Sequence, residues 1–235
     1  MILKNKLALV FIISISILSL IGCNSSSETM DVTLNVGEPT STYENEPIAT
    51  IEQEVSVSDF NELPDDIKGT IIPIDSLLLY HAETGKEYDA NDSYMLWRTL
   101  QYAFGNFGVN YNRAELKEYS LTVEPMTIGE FTTAILDGDY KNYPIPEELN
   151  DQAWYDSNDN SYYFGVGDRG LSQTEILTYQ YLDNHNLKVN ARLYGLDDNS
   201  TICSGTFYFK RNDYASGVIE PLFYYTVTNV EFNEE

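Results

Sequence analysis

The sequence has few of the residues that most often bind metal ions or act as nucleophiles. Among its 235 residues are two cysteines and two histidines. His81, His185 and Cys203 are far apart in unrelated sequence contexts, so the ligand spacing of a zinc site is missing. A Gly-x-Ser-x-Gly motif and a glycine-rich phosphate loop with its lysine are also missing. These absences count against zinc, serine-triad and phosphate-loop chemistry.

Basic residues are scarce as well. The chain contains 13 Lys and Arg residues against 37 Asp and Glu residues, which gives a formal net charge of −24. Such a surface repels the phosphates of nucleic acids and the headgroups of anionic lipids. We therefore expect no nucleic-acid partner, and membrane attachment would need something other than surface charge.

The apolar run at the start of the chain is too short to span a membrane. Residues 7–21 are apolar except for three serines, and Lys4 and Lys6 precede them. A transmembrane helix needs roughly 20 apolar residues, and small residues rather than a stop-transfer pattern follow this run. The pattern predicts an export signal peptide over residues 1–22.

The run ends in Leu20-Ile21-Gly22-Cys23, which resembles the lipobox of bacterial lipoproteins. The resemblance implies that Cys23 becomes the first residue of the mature chain and carries the lipid. One acyl chain gives only marginal anchoring, so two or more are expected to hold the protein at the outer side of the cytoplasmic membrane. Cys203 then has no cysteine to pair with, and its strand-like surroundings predict a buried structural thiol.

An acidic segment follows the anchor. Residues 24–66 contain eleven acidic residues and no Lys or Arg, with apolar residues scattered at no regular period. This composition is typical of a solvated, self-repelling tether, which we place at residues 23–62. Part of the segment 48–60 could still add a strand. We expect ordered structure to begin near Leu63 and a single domain to cover residues 63–235.

Three helices are predicted in the first half of that domain. The clearest runs from Ser93 to about Phe107, where apolar and aromatic residues recur every three to four positions and form one broad stripe. A shorter helix is predicted over residues 75–82. Thr127 to Glu130 has the spacing of a capping box and predicts the start of a third helix.

The second half of the domain has strand patterns. Residues 154–164 indicate a hairpin, and longer strands are predicted over 175–182, 187–196, 202–210 and 222–232. In the second of these longer strands apolar and polar residues alternate, as in a sheet buried on one face. Short connections favour an antiparallel meander. The prediction is an α+β fold with N-terminal helices on one face of a C-terminal meander of about five strands.

This order of elements is similar to that of the cystatin-like and NTF2-like folds, in which a curved antiparallel meander wraps helices. It is also similar to the plan of many uncharacterised lipoproteins of Gram-positive bacteria. The similarity concerns architecture, and it implies no activity.

One segment has the beginning of a calcium-binding loop. Asp156, Asn158 and Asn160 alternate as oxygen ligands do at the start of an EF-hand. Ser161 and Gly167 then occupy the positions that require glycine and a bidentate glutamate, and an Asx-rich hairpin turn explains the same residues. A weak surface calcium site is the one cofactor these residues suggest, and no other cofactor is predicted.

Tyrosines are abundant in the predicted strands. A small core cannot hold all of them, and exposed tyrosines on a rigid sheet are suited to stacking on sugars or anchoring a protein partner. Tyrosine also has high strand propensity, which explains its abundance without a ligand. The candidate ligand-binding residues are Tyr163, Tyr179, Tyr181, Tyr194 and Tyr208.

Together these patterns predict a lipid-anchored protein of the cell envelope with a non-catalytic binding domain, whose partner is a glycan or an envelope protein. The alternative is a small extracytoplasmic hydrolase that acts on glycans. That reading requires two carboxylates roughly 5–10 Å apart in a cleft. Nothing in the spacing of the acidic residues nominates such a pair.

Overall fold

The computed structural model describes residues 53–166, 170–212 and 222–233. The predicted signal peptide, Cys23 and most of the predicted tether lie outside these ranges. Within the described ranges no helix is long and apolar enough to cross a membrane. Their α-helices are α1 (Asp65–Lys68), α2 (Ile71–Thr84), α3 (Ser93–Ala103) and α4 (Pro125–Ile135). Their strands are β1 (Val55–Ser56), β2 (Glu115–Lys117), β3 (Ser120–Val123), β4 (Ala153–Asp156), β5 (Ser161–Gly165), β6 (Ser172–Tyr181), β7 (Leu187–Gly195), β8 (Thr201–Arg211) and β9 (Tyr225–Asn233).

The larger sheet confirms the predicted α+β fold. It has five antiparallel strands in the order β1-β6-β7-β8-β9, so β6 to β9 form the expected meander. The buried residues of β7 are Leu187, Val189, Ala191 and Leu193, the alternation that the sequence predicts. Helix α2 packs against this sheet, and its Leu77, Leu78 and Tyr80 are fully buried.

The fifth strand of this sheet comes from a part of the chain predicted to be tether. Strand β1 pairs with β6 through Val55 opposite Tyr179, so regular structure begins before Leu63. Polar contacts explain the difference, because the Glu54 carboxylate accepts hydrogen bonds from Thr178 (2.7 Å) and Asn190 (2.8 Å).

A second sheet was not foreseen in the sequence. The predicted hairpin over 154–164 is present as β4 and β5, but it pairs with β3 and belongs to a four-stranded sheet in the order β2-β3-β5-β4. Phe164 lies opposite both Leu121 and Ala153 and packs against Phe104 of the helical layer.

The helix boundaries differ from the predicted ones at three positions. Helix α2 begins at Ile71 rather than at residue 75, because Pro73 lies in the first turn, where its missing N–H costs nothing. Helix α4 begins at Pro125, which occupies the favoured first helical position, so the capping box at Thr127 does not form. Helix α3 ends at Ala103 and continues as a π-helical turn, Phe104–Gly108.

Cys203 is a buried thiol, as its strand context predicted. Its side chain is 6% exposed, and the Sγ atom lies 3.5 Å from the carbonyl oxygen of Leu78 in α2. A sulfur in this setting is shielded from reagents. It serves the packing between α2 and the larger sheet.

Candidate functional site

A cleft of about 520 Å³ lies at the edge of the larger sheet, where β1 separates from β6. Strand β1 pairs with β6 only at Thr178 and Tyr179, and one further backbone bond joins the Val57 N–H to the Leu177 carbonyl. The chain then turns away through a 3₁₀ turn, Phe60–Glu62. The N-terminal part of β6, residues 173–176, therefore borders the cleft. The cleft exists because β1 is shorter than the strand it covers.

The walls of the cleft are mainly apolar and aromatic. Phe107 and Tyr111 come from the π-helical turn after α3 and the loop beyond it, and Ile71 comes from the start of α2. Phe60 and Tyr194 add rings from the 3₁₀ turn and from β7. Phe60 and Tyr111 are 42% and 41% exposed, so their rings are available to a ligand. Binding sites for small molecules commonly have such walls with a few polar groups among them.

The principal polar group of the cleft is Asp75 of α2. This residue is fully buried, and its carboxylate accepts hydrogen bonds from the Thr174 hydroxyl (2.6 Å) and the Asn106 side-chain amide (2.9 Å). Asn106 belongs to the π-helical turn, a type of distortion that often occurs at functional sites. Asp75 thereby joins α2, the end of α3 and β6 in one hydrogen-bonded unit beside the cleft.

Two further carboxylates line the cleft. Glu175 forms an ion pair with Arg192 (2.8 Å), and the Arg192 guanidinium lies over the Tyr194 ring at 5.1 Å from its centroid. Asp59 caps the 3₁₀ turn, because its carboxylate accepts a hydrogen bond from the Asn61 N–H (2.9 Å). Each carboxylate of the cleft thus has a structural partner that fixes its position.

The charge of the cleft restricts its ligands. Among the described residues that line it are three carboxylates and no Lys, Arg or His. A phosphate or carboxylate ligand would meet repulsion there. Aromatic rings beside carboxylates instead suit ligands with hydroxyl or ammonium groups, which stack on the rings and donate hydrogen bonds to the acids.

The structure does not bring the five candidate tyrosines together. Of these, Tyr194 lines the cleft. Tyr179 and Tyr181 contact each other edge to face at 5.8 Å on the core side of β6, and the Tyr181 hydroxyl donates to Asp66 at 3.1 Å. Tyr208 lies on the face of the sheet opposite to Tyr179 and Tyr181, and its hydroxyl donates a hydrogen bond to Glu231 at 3.2 Å.

Tyr163 lies in β5 of the second sheet and is not among the described residues that line the cleft. Its ring stacks on the exposed Trp154 with centroids 5.4 Å apart and planes within 6°. Its hydroxyl donates to Asp159 in the adjoining hairpin turn. The pair extends the aromatic surface of this sheet.

The predicted calcium ligands lie in the turn between β4 and β5. The Asp156 carboxylate accepts hydrogen bonds from the backbone and side-chain nitrogens of Asn158, both at 2.8 Å. Asn160 has a left-handed backbone, with φ of 54°, and its side-chain oxygen accepts from the Tyr155 hydroxyl. These oxygens hold an Asx turn, and no group of three His, Cys, Asp or Glu side chains suited to a metal ion occurs in the described ranges. Gly167 lies outside those ranges.

The sequence pattern does not predict most of the cleft residues. It places Phe107 in the apolar stripe of the helix that begins at Ser93, and it places Glu175 in a predicted strand. A signal existed for Asp75, which is a lone acid within the apolar run Ile71–Tyr80. A buried acid inside a helix requires partners, and such partners often lie at a binding site.

Comparison with protein families, with characterised proteins and with solved structures finds no match to this chain.

Proposed function

We propose that this protein is a lipid-anchored binding protein of the cell envelope, held at the outer side of the cytoplasmic membrane by Cys23, and that the cleft beside Asp75 receives its ligand. The ligand is an envelope component, either a glycan or a polypeptide segment. The protein binds it without a chemical reaction.

The observation that supports binding over catalysis is the state of the three carboxylates. Asp75, Glu175 and Asp59 each hold hydrogen bonds or an ion pair with protein groups. A general acid or base must exchange a proton with its substrate, and structural partners of this kind hinder that exchange. Aromatic walls with fixed polar groups serve recognition instead.

A ligand screen with two tyrosine variants tests the location of the site. Tyr194→Ala removes an aromatic wall of the cleft, and Tyr208→Ala removes a tyrosine from the other end of the same sheet. Thermal shifts of the full chain would be measured with soluble cell-wall glycan fragments and with peptides. A ligand that stabilises the wild type and the Tyr208 variant but not the Tyr194 variant is the expected result. Ligand effects that are equal in both variants would place the site elsewhere.

The anchor is tested separately by Cys23→Ala. Lipidation requires the cysteine sulfur, and the strongly negative chain has no charge attraction to anionic membranes. The exported variant is expected to leave the membrane fraction and appear in the soluble fraction. Persistence of the exported variant in the membrane fraction would contradict the proposed anchor.

The second candidate function is glycan hydrolysis, and the observation that favours it is the placement of three carboxylates in one cleft. Two of them would act as acid and base or nucleophile. The test is release of reducing ends from envelope polysaccharides by the wild type and by Glu175→Gln. Turnover that disappears in the variant would establish the hydrolase, whereas binding without turnover supports the proposed function.

A further inference from the structure

Strand β6 has an open edge beside the cleft. On the side of β1, the described part of the chain pairs with β6 only at residues 177–179. A register shift between Ile176 and Thr178 marks the point where β1 ends. Over residues 173–176 no described strand lies on that side, while β7 pairs with them on the other. An edge of this kind presents backbone N–H and C=O groups to an incoming strand.

The open edge and the cleft share their residues. Gln173, Thr174, Glu175 and Ile176 all line the cleft, so both faces of the strand border it. A strand placed along this edge would continue the row that β1 begins and would border the cleft that Phe60 and Phe107 also line. Alternate side chains of that strand would then point into the cleft.

We propose that the ligand is an extended, basic segment of a partner protein, which adds to the edge of β6 and places a lysine or arginine side chain in the cleft. This inference rests on the proposed function and names the class of its ligand. Backbone hydrogen bonds would supply much of the affinity, and the cleft would supply the selectivity, as in other cases of strand addition.

Charge decides between basic and acidic segments. Asp59, Asp75 and Glu175 line the cleft, no basic residue is found among its described lining, and the chain as a whole carries −24. A lysine side chain entering between aromatic rings would gain both cation–π contact and attraction to the acids. A glutamate in the same position would be repelled by Asp59 and would gain no attraction from Glu175, whose charge is offset by Arg192.

The size of the edge sets the length of the segment. Four residues of antiparallel strand span about 14 Å, so a segment of about six residues covers the edge and its flanks. Synthetic nine-residue peptides rich in Thr and Val are suitable probes. One carries a central lysine, a second has glutamate in its place, and a third is the lysine peptide with alternate backbone nitrogens methylated.

Binding of the three peptides to the full chain, measured by fluorescence anisotropy, tests the inference. The lysine peptide is expected to bind, and methylation should weaken it at least about tenfold because several backbone hydrogen bonds are lost. The glutamate peptide should show no saturable binding. Equal binding of the methylated and unmethylated peptides would overturn strand addition, and preference for glutamate would overturn the charge assignment.

A matched pair of variants locates the bound lysine. Asp59 and Asp139 each cap a three-residue 3₁₀ turn, with the carboxylate accepting a backbone N–H at 2.9 Å and 3.0 Å respectively. Asp59 lines the cleft, whereas Asp139 does not. Asp59→Asn should weaken binding of the lysine peptide about three- to fivefold, and Asp139→Asn should leave it unchanged. Equal effects of the two variants would overturn the placement.

Glycan binding distinguishes a failure of the peptide inference from a failure of the proposed function on which it rests. If a neutral glycan binds in a manner that Tyr194→Ala abolishes, while none of the peptides binds, the cleft is a binding site but the peptide inference is wrong. If neither glycans nor peptides respond to cleft variants, both are overturned. Peptide binding that requires backbone N–H groups and Asp59 supports both.

Discussion

Asp75 interrupts the apolar run of α2 and is fully buried, with hydrogen bonds from Thr174 and Asn106. Burial of a carboxylate costs free energy that such bonds must offset. The adjacent Ser76 is equally buried, but its hydroxyl only donates to the Ile72 carbonyl of the same helix. The two residues therefore differ in what they join: Asp75 connects three elements, and Ser76 connects one helix to itself.

Replacement of Asp75 by alanine should destabilise the fold. The change leaves the Thr174 hydroxyl and the Asn106 amide without their acceptor, at a cost of about 2–4 kcal/mol in the free energy of unfolding. Urea unfolding followed by circular dichroism measures it. Ser76→Ala is the control and should cost less than about 1 kcal/mol. Equal changes in the free energy of unfolding for the two variants would show that the hydrogen bonds of Asp75 add no more stability than the single bond of Ser76.

Glu83, near the C-terminal end of α2, provides a pH-dependent contribution to stability. Its carboxylate accepts two hydrogen bonds from Arg98, at 2.6 and 2.7 Å, and one from the Tyr102 hydroxyl. The hydrogen bonds from Arg98 lower the pKa of Glu83 in the folded protein. Burial together with the hydrogen bond to Glu83 raises the pKa of Tyr102 to about 12.

A lowered pKa stabilises the folded state at pH values above the ordinary glutamate pKa of 4.5, and that stabilisation is lost as the pH falls through the folded-state pKa. Glu83→Gln should therefore be less stable than the wild type at pH 7, and the difference should shrink toward pH 3. Urea midpoints across this range measure it. Glu148→Gln removes a carboxylate at an exposed position and serves as the control. A difference for Glu83→Gln that stays constant with pH would refute the assignment.

At the scale of elements, the approach of α1 and α2 to the segment before β9 depends on Gly69. A Cβ atom at this position would lie 2.3 Å from the backbone carbonyl oxygen of Leu222. Backbone atoms cannot move aside as a flexible side chain can, so the helices would have to shift. Gly105, in the π-helical turn, has open space around its Cα.

Gly69→Ala should lower the free energy of unfolding by about 2–3 kcal/mol, while Gly105→Ala should be neutral or stabilising by up to about 1 kcal/mol. Thermal and urea unfolding of the two variants test this. A neutral Gly69→Ala would mean that the segment at Leu222 does not approach α1 and α2 as closely as described.

The elements that the sequence predicted well are those in which one pattern dominates. Strand β7 alternates without interruption between Leu187 and Leu193, and burial of one face follows from that pattern alone. The second sheet was missed because β2, β3 and β4 have three or four residues each, too few to show a period. Which sheet a short hairpin joins depends on distant contacts such as Leu121 with Phe164.

The cleft was not predictable from the sequence either, because it depends on contacts between residues that are distant in the chain. Its residues come from five separate segments, and the gap itself arises because β1 pairs with only part of β6. Strand pairing at a sheet edge leaves no periodic signal in either strand. Of the five candidate tyrosines, Tyr194 lines the cleft, while the Tyr181 hydroxyl donates a hydrogen bond to Asp66.

At the scale of the whole molecule, the proposed lipid anchor at Cys23 and the proposed binding cleft belong to one strongly acidic chain. Its net charge of −24 would keep the domain away from anionic surfaces and would favour basic partners. The proposed tether would give the domain reach from its lipid. On this proposal, the protein would capture a ligand near the membrane while its folded domain stays outside the lipid.

Hydrogen–deuterium exchange of the full chain, with and without the strongest ligand from the stabilisation screen, shows whether the ligand binds in the cleft. We expect slower exchange in residues 57–60, 105–111 and 173–176, which border the cleft, and unchanged exchange in β4 and β5 of the second sheet. Protection confined to residues 153–165, with no change around the cleft, would contradict it.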